Sequence, residues 1–249
     1  QKIDDFLRNT EISRERLLGL GISLPGIVNP VQKMITYSHA LGVRDLPFSE
    51  IQSYFPWHCT FLNDANAGAF AEGIGSDLPS SFFYLSLSNT VGGAIFHDGN
   101  LLPGDAFRCG EAGHMTLIPG GRPCYCGKTG CVDSYCSARV LSDLSGGRLK
   151  DFFLELQQNN REYRPVWDTY LKHLSVVINN LHMILDYDII LGGYVGSFLT
   201  PWLDTIRHLV AERNTFEDDG SFVKLCTYQT GAAAYGAAMD VMEEFLRTV

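Results

Sequence analysis

Basic residues are scarce in this chain. Nineteen Lys and Arg face 28 Asp and Glu, which leaves a net charge of −9 and a pI near 5.2. Binding along a nucleic-acid backbone needs clustered Lys and Arg, so this chain is not itself a nucleic-acid clamp. Long apolar runs are missing too: none approaches the roughly 18 residues that span a bilayer. The first residues are charged (Lys2, Asp4, Asp5, Arg8) and lack the apolar centre of a signal peptide. At 45% hydrophobic and 19% charged, the composition excludes disordered and collagen-like classes. The expectation is a soluble, cytoplasmic, acidic globular protein with no membrane partner. Its 249 residues suffice for one large domain or two packed lobes whose core needs no disulfide staples.

Seven cysteines are present, an odd number, in a chain without a secretory pattern. That disfavours a disulfide framework and favours free thiols plus one metal cluster. Cys59, Cys109 and Cys226 stand alone, whereas Cys124, Cys126, Cys131 and Cys136 crowd together. His114 precedes Cys124, Cys126 and Cys131 at spacings of ten, two and five. One imidazole and three thiolates make a closed tetrahedral set for Zn²⁺, the geometry of a structural site. Four unrelated buried residues are the blander reading, but Gly-flanked thiols in a loop have no packing reason to cluster. Cys136 falls on the following helix and reads as core.

Strands alternate with helices along the chain, which defines an α/β class. The pattern predicts an amphipathic helix over residues 3 to 18, with Ile3, Phe6, Leu7, Leu17 and Leu18 on its buried side. Short strands are expected at Leu20 to Leu24, Cys59 to Leu62, Phe82 to Ser88, Gly92 to Phe96, Asp188 to Leu191 and Val223 to Tyr228. Asp98-Gly99-Asn100 closes a hairpin. Helices are expected at Ala65 to Glu72, from about Val166 to Leu185, and at Gly231 to Phe245. Residues 99 to 131, rich in Gly, Pro and Cys, form an ordered loop only if something crosslinks them.

Gly110-Glu111-Ala112-Gly113-His114, followed by Cys124-Tyr125-Cys126-Gly127-Lys128-Thr129-Gly130-Cys131-Val132-Asp133, closely resembles the signature of the ROK family. The likeness extends to Leu24-Pro25-Gly26, Asn63-Asp64-Ala65-Asn66-Ala67, Gly92-Gly93 and Gly192-Gly193, from about residue 18 to the end. That family comprises bacterial sugar kinases and sugar-responsive transcriptional repressors on the actin-like ATPase (ribonuclease H-like) fold. The resemblance implies two packed lobes over residues 1–249: a first lobe of about 1–90, truncated because the family's N-terminal strands are missing, and a second of about 91–249 with the zinc loop. It also implies a sugar site at Asn63, Asp64, Glu111, His114 and Asp133. In the kinases the residue matching Asp64 is the general base, a role a carboxylate at a strand-to-helix turn can fill. Such a residue can equally cap the Ala65 to Glu72 helix. His114, with two ring nitrogens, can serve metal and sugar at once. Asp133 stands where the family usually carries Glu.

Departures from the kinases decide the functional expectation. The phosphate loop that reads Gly-Thr-Gly in kinases is here Ser88-Asn89-Thr90, ahead of Gly92 and Gly93. Tyr194 follows Gly192-Gly193 where kinases carry a small residue beside the adenosine, or else it packs on the next helix. The family's Asp-x-Gly-x-Thr strands do not occur in these 249 residues. The expected function is therefore the sugar-sensing effector domain of a ROK-type regulator, binding a hexose or amino sugar beside a degraded nucleotide loop. DNA contact is expected through a helix-turn-helix upstream of residue 1. An ATP-dependent sugar kinase, with Asp64 as base and ATP/Mg²⁺ as cosubstrate, is the competing expectation. Two-fold pairing of DNA-reading modules implies a homodimer or higher homo-oligomer.

Overall fold

In the computed structural model, residues 2–10 and 12–248 are described. They open with α1 (Lys2–Asn9), β1 (Leu20–Leu24), β2 (Ile27–Asn29), β3 (Met34–Ser38), β4 (Val43–Pro47) and α2 (Phe48–Gln52). Next come β5 (Cys59–Asn63), α3 (Asp64–Gly75), β6 (Phe82–Leu87), β7 (Val91–His97) and β8 (Asn100–Leu101). Beyond a long loop lie α4 (Asp133–Cys136), α5 (Ala138–Ser142), α6 (Leu149–Gln157) and α7 (Tyr163–Leu185). The remaining elements are β9 (Asp188–Gly192), α8 (Gly193–Gly196), α9 (Leu203–Ala211), β10 (Val223–Leu225) and α10 (Ala232–Leu246).

Strand burial explains the sheets. Every residue of β6 is buried, as are four of the five in β9, so these strands need cover on both faces. They occupy the middle of a five-stranded sheet ordered β10-β9-β6-β7-β8, with β10, β9 and β6 parallel and β7 and β8 antiparallel. The hairpin residues Asp98 and Gly99 both take positive φ, as a tight two-residue turn demands. The division expected near residue 90 falls inside the β6–β7 turn, between two paired strands of this one sheet.

α7 covers one face of the sheet. Trp167, Tyr170, Leu171, Leu174, Val177, Ile178 and Leu181 repeat at helical spacing and are buried, each contributing about 1.5–3 kcal/mol for the area removed from water. Ile184, which follows the same periodicity, is 76% exposed because the helix runs past the sheet. A left-handed Asp186 ends the helix.

The smaller half holds a parallel pair, β1 with β5, and an antiparallel sheet ordered β2-β3-β4 that the sequence patterning did not predict. Gly21 permits the pair to meet α10: a Cβ there would lie 1.9 Å from the Ala237 carbonyl oxygen. The first helix is shorter than predicted and stops at Asn9, because the polar run after Leu7 offers no apolar stripe. Leu7 is buried, whereas Phe6 and Leu18, both expected inside, are exposed.

Candidate functional site

β5 delivers Asn63 and Asp64 to the start of α3. Asn63, not Asp64 alone, caps this helix: its Oδ1 accepts the Ala65 and Asn66 N–H groups at 2.9 and 3.1 Å. Its Nδ2 donates to the Gly26 carbonyl at 2.9 Å, fixing the Pro25-Gly26 turn. Both ends of the Asn63 amide are thus engaged within the protein. Asp64 accepts only the Ala65 N–H, at 3.0 Å, and turns toward a cleft of about 820 Å³. Burial raises the Asp64 carboxyl above its ordinary pKa, with the Ala65 N–H opposing.

The cleft runs between the β2-β3-β4 sheet and the larger half. Its walls include Pro25, Gly26, Ser38, His39, Asn63, Asp64, Thr90, Gly92, Gly93, Glu111, His114 and Tyr125. Burial lifts the Glu111 carboxyl as well; the nearby Asp64 charge adds to the rise, while His114 and Arg108 oppose it. Two partly desolvated carboxylates side by side are suited to hydroxyl groups, to which each can offer a lone pair or a proton. A second cavity, about 950 Å³ and bordered by Phe48, Phe61, Phe70 and Asp240, shares only Asn63 with this wall among the sequence-predicted site residues.

The Cys loop is folded by its own backbone. Cys124 N–H donates to the Lys128 carbonyl at 2.8 Å and Gly127 N–H to the Cys124 carbonyl at 3.0 Å, with Gly127 left-handed at φ +83°. Gly130 is irreplaceable on two counts: its φ is +80°, and a Cβ there would lie 1.8 Å from the Ile118 oxygen. Ligand atoms of His114, Cys124, Cys126 and Cys131 all lie within 4.8 Å of one another. Cys126 Sγ and Cys131 Sγ are 3.8 Å apart, the edge of a tetrahedron with metal–sulfur bonds of about 2.3 Å. His114 Nδ1 is buried without a hydrogen-bond partner, as a nitrogen facing a metal would be. The residues therefore fit a tetrahedral metal. His114 Nε2 points the other way, 3.3 Å from Tyr125 Oη and 3.9 Å from Glu111 Oε2.

Not every residue predicted for the site reaches it. Asp133 is buried outside the cleft wall, and its Oδ1 accepts the Val91 N–H at 2.6 Å. Burial raises its carboxyl pKa, the Val91 bond opposing. Ser88 and Asn89 do not line the cleft, nor do Gly192 and Gly193. Ser88 Oγ instead packs against Gly193, 2.6 Å from where a Cβ would stand, and the Tyr194 N–H approaches it at 3.4 Å. Tyr194 itself is 48% exposed.

Sequence reasoning missed one wall of the cleft. The Arg44 guanidinium sits 4.7 Å from the centre of the Tyr37 ring, and Tyr37 meets His39 edge-on at 4.4 Å. His39 meets Tyr125 at 5.2 Å, and Tyr125 meets His114 at 5.4 Å. This chain of rings joins the small sheet to the Cys loop. Tyr125 was findable, since a residue between two ligating cysteines is held wherever they are; His39 and Arg44 carried no such signal.

The fold and this cleft define a class before any name. The family description "ROK family" matches residues 1–244, and the chain belongs to the ROK family. It is 28% identical over 269 aligned positions to the glucokinase of Halalkalibacterium halodurans, covering 97% of this chain and 81% of that protein. It is 30% identical over 208 positions to the xylose repressor of Bacillus spizizenii, covering 82% of this chain. The chain spans only 50% of that repressor's length. A solved ROK family glucokinase from Streptomyces griseus, in complex with glucose and AMPPNP, superposes with a TM-score of 0.79 at 21% identity, over 97% of this chain and 87% of that one. The α/β architecture is accordingly that of the actin-like ATPase fold.

Proposed function

We propose that the chain is the sugar-binding effector domain of a ROK-type transcriptional regulator. Asp64, Glu111 and His114 bind hydroxyls of a hexose or amino sugar. Asn63 shapes the adjoining turn, and Asp133 acts from behind by holding Val91. Zn²⁺ held by His114, Cys124, Cys126 and Cys131 serves as structural support that orients His114. DNA contact belongs to a helix-turn-helix upstream, and the working form is a homodimer in the cytoplasm. In keeping with that, no helix among the described residues is long and apolar enough to cross a membrane.

The observation that carries this reading over catalysis is Ser88 Oγ against Gly193. Phosphate loops need bare backbone N–H groups within reach of the anion. Here a side chain fills the gap between the two turns that would cradle a nucleotide. Removing such donors costs about 10² to 10³-fold each, more than a positioned base alone restores.

An ATP-dependent sugar kinase is the second reading. The glucokinase relative covers nearly the whole chain, and the Asp64 carboxylate is free to take a hydroxyl proton. One experiment separates them: with Mg²⁺-ATP and a panel of hexoses, ADP release stays at background for the effector domain. Turnover above about 1 s⁻¹ establishes the kinase. Calorimetric titration tests the sugar site itself, since binding unchanged in both Asp64→Ala and Glu111→Ala variants removes its basis.

A further inference from the structure

We propose that the ligand of this cleft is an anionic sugar, carrying a phosphate or a carboxylate that Arg44 and Arg108 hold at the rim. The inference rests on the sugar-binding reading above and names the substrate class of that site.

In this acidic chain most arginines are neutralised locally. Arg8, Arg14, Arg148, Arg164, Arg213 and Arg247 each have a carboxylate oxygen within 4 Å. Arg207 donates to the Val223 carbonyl, and Arg122 lies over the Tyr135 ring. Three arginines break the pattern, and all three line the same cleft: Arg44 from β4, Arg108 from the loop before Glu111, and Arg139 from α5. Among the described residues, none of the three has a carboxylate oxygen within 4 Å or a hydrogen-bond acceptor. Three separate segments converge to place them there, against a net charge of −9.

Position within the cleft assigns their roles. Asp64 and Glu111 are half-buried, whereas all three guanidinium side chains belong to exposed residues, so carboxylates form the floor and cations the rim. A neutral sugar uses the floor and leaves the rim idle. A sugar with hydroxyls at one end and an anion at the other uses both. Guanidinium is the group suited to this, because its fork of N–H donors matches a phosphate or carboxylate two bonds at a time. Arg44 is pre-set for the task by its stacking on Tyr37, which reduces the freedom lost on binding. Arg139 is one residue from Ala138, whose N–H donates to the Ser88 carbonyl, so it stands on the side of the 88–90 turn. Arg44 and Arg108 are therefore the pair that reads the ligand's anion.

Calorimetry on the zinc-loaded chain decides the matter, with glucose, N-acetylglucosamine, their 6-phosphates, glucuronate, inorganic phosphate and Mg²⁺-ATP as probes. The expected result is at least tenfold tighter binding of one anionic sugar than of its neutral parent. The phosphate and uronate arms identify the anion. In the Arg44→Gln/Arg108→Gln double variant that preference should shrink to within about threefold. Equal or tighter binding of the neutral sugar overturns this inference and leaves the sugar site standing; no binding of any sugar overturns both. Inorganic phosphate binding as tightly as the sugar phosphate overturns it, as does loss of Mg²⁺-ATP binding in the same double variant. Should the variant not fold, salt gives the answer on the unaltered protein: between 50 and 500 mM NaCl the anionic sugar must weaken several-fold more than glucose, and parallel behaviour overturns the proposal.

Discussion

Asp133 accepts the Val91 N–H at 2.6 Å, tying the residue two beyond the last cysteine of the cluster to the first residue of β7. A second bond, from the Ala138 N–H to the Ser88 carbonyl at 2.7 Å, runs parallel to it. The Cys loop and the 88–90 turn are thus one mechanical unit. Replacing Asp133 by Ala strands a buried N–H, which costs about 1–3 kcal/mol. For a chain of this size that lowers Tm by about 2–12 °C. A thermal melt unchanged from wild type would show that the bond holds nothing.

Metal content is the next expectation. Purified protein should carry close to one zinc per chain, and Cys126→Ser should melt at a lower temperature. The loop has few apolar contacts of its own, so metal binding there is folding free energy. Metal-free protein with an unaltered melt contradicts the assignment.

Gly113 lies between Glu111 and His114 with no room for a side chain, since a Cβ would sit 2.0 Å from the Val91 oxygen. Gly113→Ala must push the 112–114 turn away from β7, costing about 1–3 kcal/mol. It should also weaken sugar binding, because His114 moves with the turn. Circular dichroism melts and titration calorimetry read the two effects separately; intact binding in a destabilised variant argues against His114 as a ligand group.

A different sign is expected at Asp64. Burial raises its folded pKa, so the folded state holds that proton more tightly than the unfolded chain does. The stability this confers is full below the ordinary carboxylate range and is lost as pH climbs through the raised value. Asp64→Asn removes the loss while keeping an acceptor for the Ala65 N–H. Its Tm should exceed that of wild type at pH 7, and the advantage should vanish near pH 3, even though sugar binding is impaired. A variant less stable than wild type at pH 7 refutes the electrostatic account.

Much of this molecule was legible in its residues. β1 begins and ends where its apolar run does, and β6 and β9 differ from expectation by a single residue at one end. Such strands are set by burial on both faces, which hydropathy records. The β2-β3-β4 sheet was not legible, because its strands are mostly half-buried and β4 presents Arg44 and Asp45 to solvent. The same blindness hid His39 and Arg44 from the site. The metal cluster was legible from spacing alone, since loop ligands must be near one another in sequence. Asp133 was misplaced by one methylene's worth of reasoning: the motif gave its position, but only packing reveals that its carboxylate faces Val91 and not the cleft.

The embrace of β1 by α10 governs when this protein can exist. Gly21 of β1 faces Ala237, and Gly236 of the same helix comes so close to α3 that a Cβ would lie 1.8 Å from the Ala67 oxygen. These partners are separated by nearly the whole chain. At ribosomal speeds of about 5–20 residues per second, the strand waits roughly 10–40 s for the helix that covers it. The sheet around β6 and β9 has its strands and α7 available earlier. The half that carries Asp64 is therefore completed last, after release, and until then its strand pair is the part of the nascent chain most in need of a chaperone.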